Sequence, residues 1–243
     1  MSDKDFKDLL NAPKKFKEGK SYTATNVVFL VNYEGDSYVV KKPRSIPIAD
    51  AVYTLEDKLF FGTRKPSTTE SRFRREVEML QKMDGKNMPK LIAYDDSNWV
   101  LVREHLSENF RGLEDGKRES VLEQGLEALS EIYGTYGPLG DAHVKNLLVR
   151  GNGDVCWTGI SGIFEDEHIW KSDLLKFIYS TWCVTKDEEL TKYSAELVAQ
   201  KEKGLAVHLP ERSSFFQRVA WWGSNRIPLL DDSLYHEVRQ ILK

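Results

Sequence analysis

Short apolar and β-branched runs dominate the N-terminal part of the chain and predict strands. Residues 27–31 and 37–41 are two such runs, and the polar joint at residues 32–36, which contains Gly and Asp, predicts a hairpin. Two further runs, at residues 89–94 and 99–103, are separated by polar turn residues and predict a second pair of strands. The pattern therefore indicates a strand-rich N-terminal region.

A helical periodicity interrupts these strands at residues 67–83. Phe73 and Val77 recur at the spacing that places them on one helix face, and Ser67 followed three residues later by Glu70 fits a capping box. This segment is predicted to form one helix that begins near Ser67.

Beyond residue 104 the pattern becomes helical. Residues 120–133 place their apolar side chains on one face, whereas residues 147–149 and 155–158 predict two short strands around a Gly-rich tip. Further helices are predicted at residues 173–184, 188–203, 211–222 and 232–242. We therefore predict an α+β fold with a strand-rich N-lobe over residues 1–104, a minimal helical C-lobe over residues 105–243, and a ligand cleft between them.

Composition and charge exclude several classes of protein. The 243 residues are 40% hydrophobic and 11% aromatic, which supports a sizeable core and excludes wholesale disorder. The 35 Lys and Arg residues are balanced by 38 Asp and Glu residues, for a formal net charge of −3. This balance excludes a polybasic coat for nucleic acid, although it leaves room for a local basic patch.

Cysteine usage and the N-terminal sequence indicate a reducing compartment. The chain has two cysteines, Cys156 and Cys183, too few for a disulfide framework or a zinc finger. Its first ten residues are charged and lack the apolar run of a signal peptide, and no stretch approaches the roughly 20 apolar residues that cross a bilayer. We expect a cytoplasmic protein without a membrane span.

The segment at residues 140–149 carries the clearest chemical pattern. Asp141 is followed, after four residues, by Asn146 and then by an apolar strand. This spacing suits phosphoryl transfer, because the Asp orients or deprotonates an attacking hydroxyl while the Asn, one turn further on, holds a metal on the phosphates. The alternative interpretation is a polar turn that connects a helix to a strand.

With this loop, the chain resembles the small atypical members of the protein-kinase-like superfamily. These are the RIO kinases, the KEOPS-complex kinase, the archaeal tRNA kinases and the bacterial lipopolysaccharide-core sugar kinases, which share a G-D-x-x-x-x-N loop. Three other segments resemble superfamily motifs in the same order: V-V-K at residues 39–41, the helix around residues 72–80, and the hinge at residues 100–106. The resemblance covers about residues 19 to 182 and implies a two-lobed fold that binds ATP and Mg²⁺.

The resemblance assigns roles to the N-terminal motifs. Lys41 would contact the α- and β-phosphates, and Glu76 would hold Lys41 in place. Lys42 is the alternative to Lys41, and Glu78 is the alternative to Glu76. Glu104 and Leu106 fall in the hinge segment that receives adenine through backbone hydrogen bonds.

Hydroxyl side chains would line the phosphate loop at residues 19–27, which has a single glycine. Ser21, Thr23 and Thr25 are the residues that would replace some of the usual amide contacts. In the C-terminal half, Asp173 resembles the helix aspartate that braces the catalytic loop, and its alternative role is a helix N-terminal carboxylate.

One position departs from the superfamily pattern. Gly159 stands where a metal-binding Asp is expected, and the acidic residues that could replace it, Glu165, Asp166 and Glu167, do not have the expected spacing. Because residue 159 should emerge beside Asn146, we predict that Gly159→Asp would restore magnesium-dependent activity.

The sequence therefore leaves two functions open. The first is an ATP- and Mg²⁺-dependent phosphotransferase that acts on a hydroxyl of a protein, an RNA or a sugar. The second is a pseudokinase, a nucleotide-binding or scaffold module that lacks efficient catalysis because of Gly159.

Two other features could contribute to partner binding. Trp221 and Trp222 form either a stacking platform or part of the core. Arginines near the predicted helix could form a basic patch for an anionic substrate or be ordinary exposed charges; these are Arg72, Arg74, Arg75 and Arg103.

Overall fold

The protein is α+β, with antiparallel sheets in both halves of the chain. The computed structural model describes residues 6–18, 26–43, 68–160, 167–208 and 232–243. These residues form a five-stranded antiparallel sheet, a three-stranded antiparallel sheet and six α-helices.

The large sheet is built from N-terminal strands in the order β1-β2-β3-β5-β4. Its strands are β1 (Lys17–Glu18), β2 (Asn26–Tyr33), β3 (Asp36–Pro43), β4 (Leu91–Asp95) and β5 (Val100–Glu104). The small sheet joins β6 (Glu108–Asn109), β7 (Leu147–Val149) and β8 (Val155–Trp157) in that order.

The hairpin between β2 and β3 is tighter than the sequence predicts. Tyr33 pairs with Asp36, so that the turn consists of Glu34 and Gly35 alone, with φ values of 52° and 85°. Two consecutive residues with positive φ form the kind of turn whose twist matches that of the strands, and the ladder therefore continues to its tip.

The helices are α1 (Lys7–Asn11), α2 (Thr69–Met83), α3 (Asp115–Tyr136), α4 (Glu167–Thr185), α5 (Glu188–Lys201) and α6 (Asp232–Ile241). Helix α2 is capped by Thr68, whose hydroxyl accepts a hydrogen bond from the Ser71 backbone N–H at 3.1 Å. The predicted cap, Ser67, lies outside the described residues, and the cap is the next residue along the chain.

Helix α4 begins six residues earlier than predicted. The expected start was residue 173, but the helix begins at Glu167 and includes a further turn that carries Trp170. The Trp170 ring is buried and stacks on Tyr133 of α3 with the ring centres 4.5 Å apart. Because of this aromatic contact, the additional turn packs into the core. The predicted helix at residues 211–222 lies outside the described residues.

The apolar core is continuous across residue 104. One cluster covers the outer face of the large sheet and includes Val40 and Val102. The second cluster joins the apolar face of α2 and Leu101 of β5 to the helices of the C-terminal half. Helix α2 and the inner face of the sheet therefore pack with the C-terminal half, and this packing positions the candidate site.

Among the described helices, none has the length and hydropathy needed to cross a bilayer. Cys156 and Cys183 are both free thiols.

Candidate functional site

A buried ion pair connects the large sheet to helix α2. Strand alternation directs Val40 to the outer cluster and Lys41 to the inner face, where its Nζ lies 2.5 Å from Oε2 of Glu76. Both side chains are only 9% exposed. Each of these buried charges therefore has an opposite charge as its partner, as burial requires.

The alternative residues in the two motifs lie elsewhere. Lys42 is exposed on β3. Glu78 is exposed on α2, and its carboxylate accepts a hydrogen bond from the Tyr136 hydroxyl at 3.1 Å. The structure thus pairs Lys41 with Glu76 and leaves both alternatives outside this contact.

Arg103 shares the inner face of the sheet with Lys41. On β5, Val102 belongs to the outer cluster, and Arg103 therefore points inward. Its Nε is shielded from solvent and has no hydrogen-bond partner among the described residues. Burial lowers the pKa of the Arg103 guanidinium, and the nearby Glu76 carboxylate opposes that shift.

The four arginines of the expected basic patch do not form one surface. Arg74 is exposed and pairs with Glu70, whereas Arg75 is buried and donates to the carbonyl oxygen of Pro138 at 2.6 Å. With Arg103 on the inner face of the sheet, a single patch is the wrong interpretation. Closeness in sequence does not place Arg74 and Arg75 on one surface, because neighbouring residues of a helix point in different directions.

Helix α4 holds the loop that contains Asp141. Asp173 accepts hydrogen bonds from the backbone N–H groups of Gly140, at 2.7 Å, and Ala142, at 3.3 Å. Burial raises the pKa of the Asp173 carboxyl, and Lys176 and these N–H groups oppose the rise. Asp173 lies in the second turn of α4 rather than at its N-terminus, so its alternative role as a first-turn carboxylate is wrong.

Two further residues of α4 extend this contact. Lys176 donates to the carbonyl oxygen of Gly140 at 2.7 Å, and the Ser180 hydroxyl accepts from the Val144 N–H at 2.9 Å. The sequence analysis did not single out either residue. Their only signal is the helical spacing from Asp173, which places all three on one face of α4.

Asp141 and Asn146 are joined within the loop. The Asn146 Nδ2 donates to the backbone oxygen and to Oδ2 of Asp141, each at 3.0 Å. An amide nitrogen has two hydrogens, and this arrangement uses both of them. The D-x4-N spacing thus brings the two predicted residues together.

Gly159 packs directly against Asn146. Its φ is +94°, and a Cβ at this position would lie 2.4 Å from Nδ2 and 2.7 Å from Cγ of Asn146. Residue 159 thus lies beside Asn146, as predicted, but a side chain at this position requires Asn146, the other expected ligand, to shift.

The described donors do not fit the magnesium site that the resemblance implies. Mg²⁺ requires near-octahedral oxygen coordination with correctly placed ligands. Within the described ranges, no three His, Cys, Asp or Glu residues cluster in a way that could hold a metal ion. Glu165 and Asp166 lie outside those ranges, and Glu167 is the first residue of α4.

The predicted hinge is tied to the small sheet. Glu104 accepts two hydrogen bonds from the Arg150 guanidinium, at 3.1 and 3.0 Å, and one from the Lys90 N–H at 3.0 Å. The Glu104 N–H donates to the carbonyl oxygen of Lys90 at 2.9 Å. Leu106 follows in a half-buried segment. The Glu104 side chain thus fixes the hinge in position.

Arg150 is a third residue, after Lys176 and Ser180, that the sequence did not indicate. It lies in the turn between β7 and β8 and also donates to the carbonyl oxygens of Gly85 and Met88, at 2.7 and 2.9 Å. A lone arginine in a Gly-rich turn gives no sequence signal for these contacts, because its partners are distant in the chain.

His143 lies in the loop that contains Asp141, where its imidazole accepts a hydrogen bond. Its Nδ1 accepts a hydrogen bond from the Lys145 N–H at 3.2 Å. Burial, together with the positive charges of Lys145 and Lys176, lowers the pKa of His143 to about 4.

The remaining predicted residues fall outside the described ranges. Ser21, Thr23 and Thr25 of the phosphate loop belong to this group, as do Trp221 and Trp222.

No protein-family model and no curated protein matches this chain. The function therefore has to be argued from the residues of the site.

Proposed function

We propose that this protein is a two-lobed, protein-kinase-like phosphotransferase that transfers a phosphoryl group from ATP to a hydroxyl of a protein, an RNA or a sugar. The buried Lys41–Glu76 pair carries the proposal. A strand lysine held by a helix glutamate is the arrangement that positions a cation for nucleotide phosphates.

The energetics of the pair favour a role in ligand binding. A buried ion pair contributes little to stability, because removing both charges from water offsets most of their attraction. The pair is nevertheless well formed at 2.5 Å, on the face of the sheet that packs towards the C-terminal half. A cation that is held in one position suits phosphate recognition.

Asp141 supplies the second part of the reaction. In the proposed step an acceptor hydroxyl attacks the γ-phosphorus, the new O–P bond forms, and the bond between the γ-phosphorus and the bridging oxygen breaks. ADP leaves, and the hydroxyl proton passes to the Asp141 carboxylate. The hydrogen bonds from Asn146 and the Asp173 contacts hold the loop in one conformation for this role.

The second candidate is a nucleotide-binding module without efficient transfer. The observation that favours it is the contact between Gly159 and Asn146, which leaves no space for a carboxylate at residue 159. In this case Lys41 and the hinge bind nucleotide, and the Asp141 loop has a structural role.

Labelled ATP distinguishes the two candidates. The protein is incubated with γ-labelled ATP and, separately, with protein, tRNA and sugar fractions, while nucleotide binding is followed by thermal unfolding. A ligand at 100 times its Kd raises the free energy of unfolding by about 2.7 kcal/mol, a readily measured shift. Binding with label transfer that Asp141→Asn abolishes supports the phosphotransferase, and binding without transfer supports the module. Absence of nucleotide binding contradicts both.

A further inference from the structure

Two cations lie close to one carboxylate on the inner face of the large sheet. Lys41 and Arg103 both point to this face, and Glu76, which pairs with Lys41, is the carboxylate that acts most strongly on Arg103. Lys41 pairs with Leu101 across the ladder, and Arg103 is two residues further along β5. The two cations are therefore diagonal neighbours that share one anion.

The Arg103 guanidinium has unused hydrogen-bonding capacity. Its Nε is shielded from solvent and has no hydrogen-bond partner in the described part of the chain. A buried donor without a partner is costly, and a charged acceptor would remove that cost. A phosphate oxygen is such an acceptor, and guanidinium groups bind phosphate in a forked geometry.

The opposite side of the site contributes little towards holding a cation. Gly159 cannot carry a carboxylate while Asn146 stays in place, so the Asn146 Oδ1 is left as the expected metal ligand on this side. The chain therefore has an additional cation where nucleotide phosphates are expected, and it lacks a metal-binding carboxylate at the expected position.

We propose that this site binds nucleotide phosphates without a divalent cation, and that Lys41 and Arg103 supply the positive charge that a metal ion would otherwise provide. This inference rests on the proposed nucleotide-binding function. It adds a residue to the site, Arg103, and it changes the ion requirement that the resemblance implies.

The location of Arg103 along β5 fits this role. Arg103 lies within the predicted hinge at residues 100–106, directly before Glu104. It is also diagonal to Lys41, the predicted contact of the α- and β-phosphates. A nucleotide that spans the hinge and Lys41 passes beside the Arg103 side chain. Arg103 should therefore discriminate between adenosine and its phosphorylated forms.

Calorimetric titration with ATP, ADP and adenosine, in EDTA and in Mg²⁺, tests the inference. For the wild-type protein, the Kd for ADP in EDTA should lie within about threefold of that in Mg²⁺, since side chains provide the charge. Arg103→Met should weaken ADP binding in EDTA by about ten- to a hundredfold, the loss expected for hydrogen bonds to a charged group. Adenosine binding should change little.

Two control variants sharpen the result. Arg103→Lys keeps the positive charge but lacks the forked donors of a guanidinium group. Its Kd for ADP in EDTA should therefore lie between those of the wild type and Arg103→Met. Lys42→Ala removes an exposed cation from the same sheet and should leave every Kd unchanged. If Arg103→Met does not fold, the wild-type titrations and Arg103→Lys still decide the question.

The outcomes separate failure of the inference from failure of the proposed function. ADP binding that needs Mg²⁺ and is insensitive to Arg103→Met overturns the inference but leaves nucleotide binding intact. Absence of binding in both EDTA and Mg²⁺ overturns the proposed function and the inference with it.

Discussion

The sheet side and the loop side of the proposed site differ in how far they match the superfamily pattern. On the sheet side, Lys41 and Glu76 form the expected ion pair at 2.5 Å. On the loop side, Asp141 and Asn146 are in contact and Asp173 braces the loop, but Gly159 fills the position of the expected carboxylate. The sheet side thus keeps the charged pair of the pattern, whereas the loop side lacks the carboxylate expected at residue 159.

Because the two sides differ, the proposed nucleotide binding and phosphoryl transfer can be tested separately in this protein. In the proposed function, nucleotide binding depends on charges that strand β3 and helix α2 hold in place, away from the loop. Transfer is proposed to depend on Asp141, which belongs to a loop organised by α4. A variant on the sheet side should therefore change affinity, and a variant on the loop side should change rate.

The largest expected effect is on rate. Asp141→Asn should lower single-turnover phosphoryl transfer by about 10²- to 10⁴-fold, because a positioned base contributes that much. The side-chain oxygen of an asparagine still accepts the hydrogen bond from Asn146, and the fold and nucleotide affinity should be retained. Quenched-flow measurement with γ-labelled ATP checks the rate, and a variant within about threefold of wild type would contradict the role of Asp141.

The second effect is on the sheet side. Lys41→Met leaves Glu76 buried without its partner, and it should lower the free energy of unfolding by about 3–5 kcal/mol and abolish the nucleotide-induced thermal shift. Lys42→Ala is the matched control and should change neither. Urea unfolding with and without ADP provides the measurement.

A double variant separates stability from binding. Lys41→Met/Glu76→Leu removes both charges of the pair, and the free energy of unfolding should recover in part because an apolar pair can replace a buried ion pair. The recovery is incomplete because Arg103 loses the nearby Glu76 carboxylate. The nucleotide-induced shift should stay absent. A double variant that responds to nucleotide like the wild type would mean that this pair is not the phosphate contact.

Much of the fold was predictable because its signals are local. The α+β class, the β2–β3 hairpin and the periodicity of α2 all follow from residues close together in sequence. The predictions fail where contacts between residues that are distant in sequence determine the structure. The stacking of Trp170 on Tyr133 extends α4, and neither residue signals that contact from its own neighbours.

The site shows the same distinction. The D-x4-N spacing singled out Asp141 and Asn146, and the two side chains are in contact. Residue 159 lies beside Asn146 as predicted, but the sequence did not indicate that their packing leaves no room for a Cβ. The contacts of Arg150 with Glu104 depend on how separate segments pack, and the sequence alone did not predict them. The two-lobed arrangement and the assigned roles stay predictions.

A third prediction tests the packing on the loop side. Gly159→Ala should destabilise the protein by about 1–3 kcal/mol through overpacking against Asn146, with about 1 kcal/mol more from the positive φ. Adding Asn146→Ala removes the two closest contacts and leaves the Cβ contact at 3.3 Å. The double variant should therefore recover most of the overpacking cost. Additive losses, measured by chemical unfolding of the single and double variants, would contradict the contact.

The smallest expected effect is a pH dependence on the loop side. Burial, Lys145 and Lys176 lower the pKa of His143 to about 4, whereas an unfolded histidine has a pKa of about 6.5. Between these two pH values the unfolded chain binds more protons than the folded protein, so the His143 contribution to stability falls as the pH drops from 6.5 towards 4. The Nδ1 that accepts from the Lys145 N–H would be lost as an acceptor on protonation, which adds to the effect.

His143→Gln should therefore flatten the pH dependence of the free energy of unfolding by about 1–3 kcal/mol across this window. His236→Gln, which removes an exposed histidine of α6, is the matched control. Urea unfolding at several pH values between 4 and 7 provides the curves, and parallel curves for wild type and His143→Gln would show that the loop does not hold His143 in its neutral form.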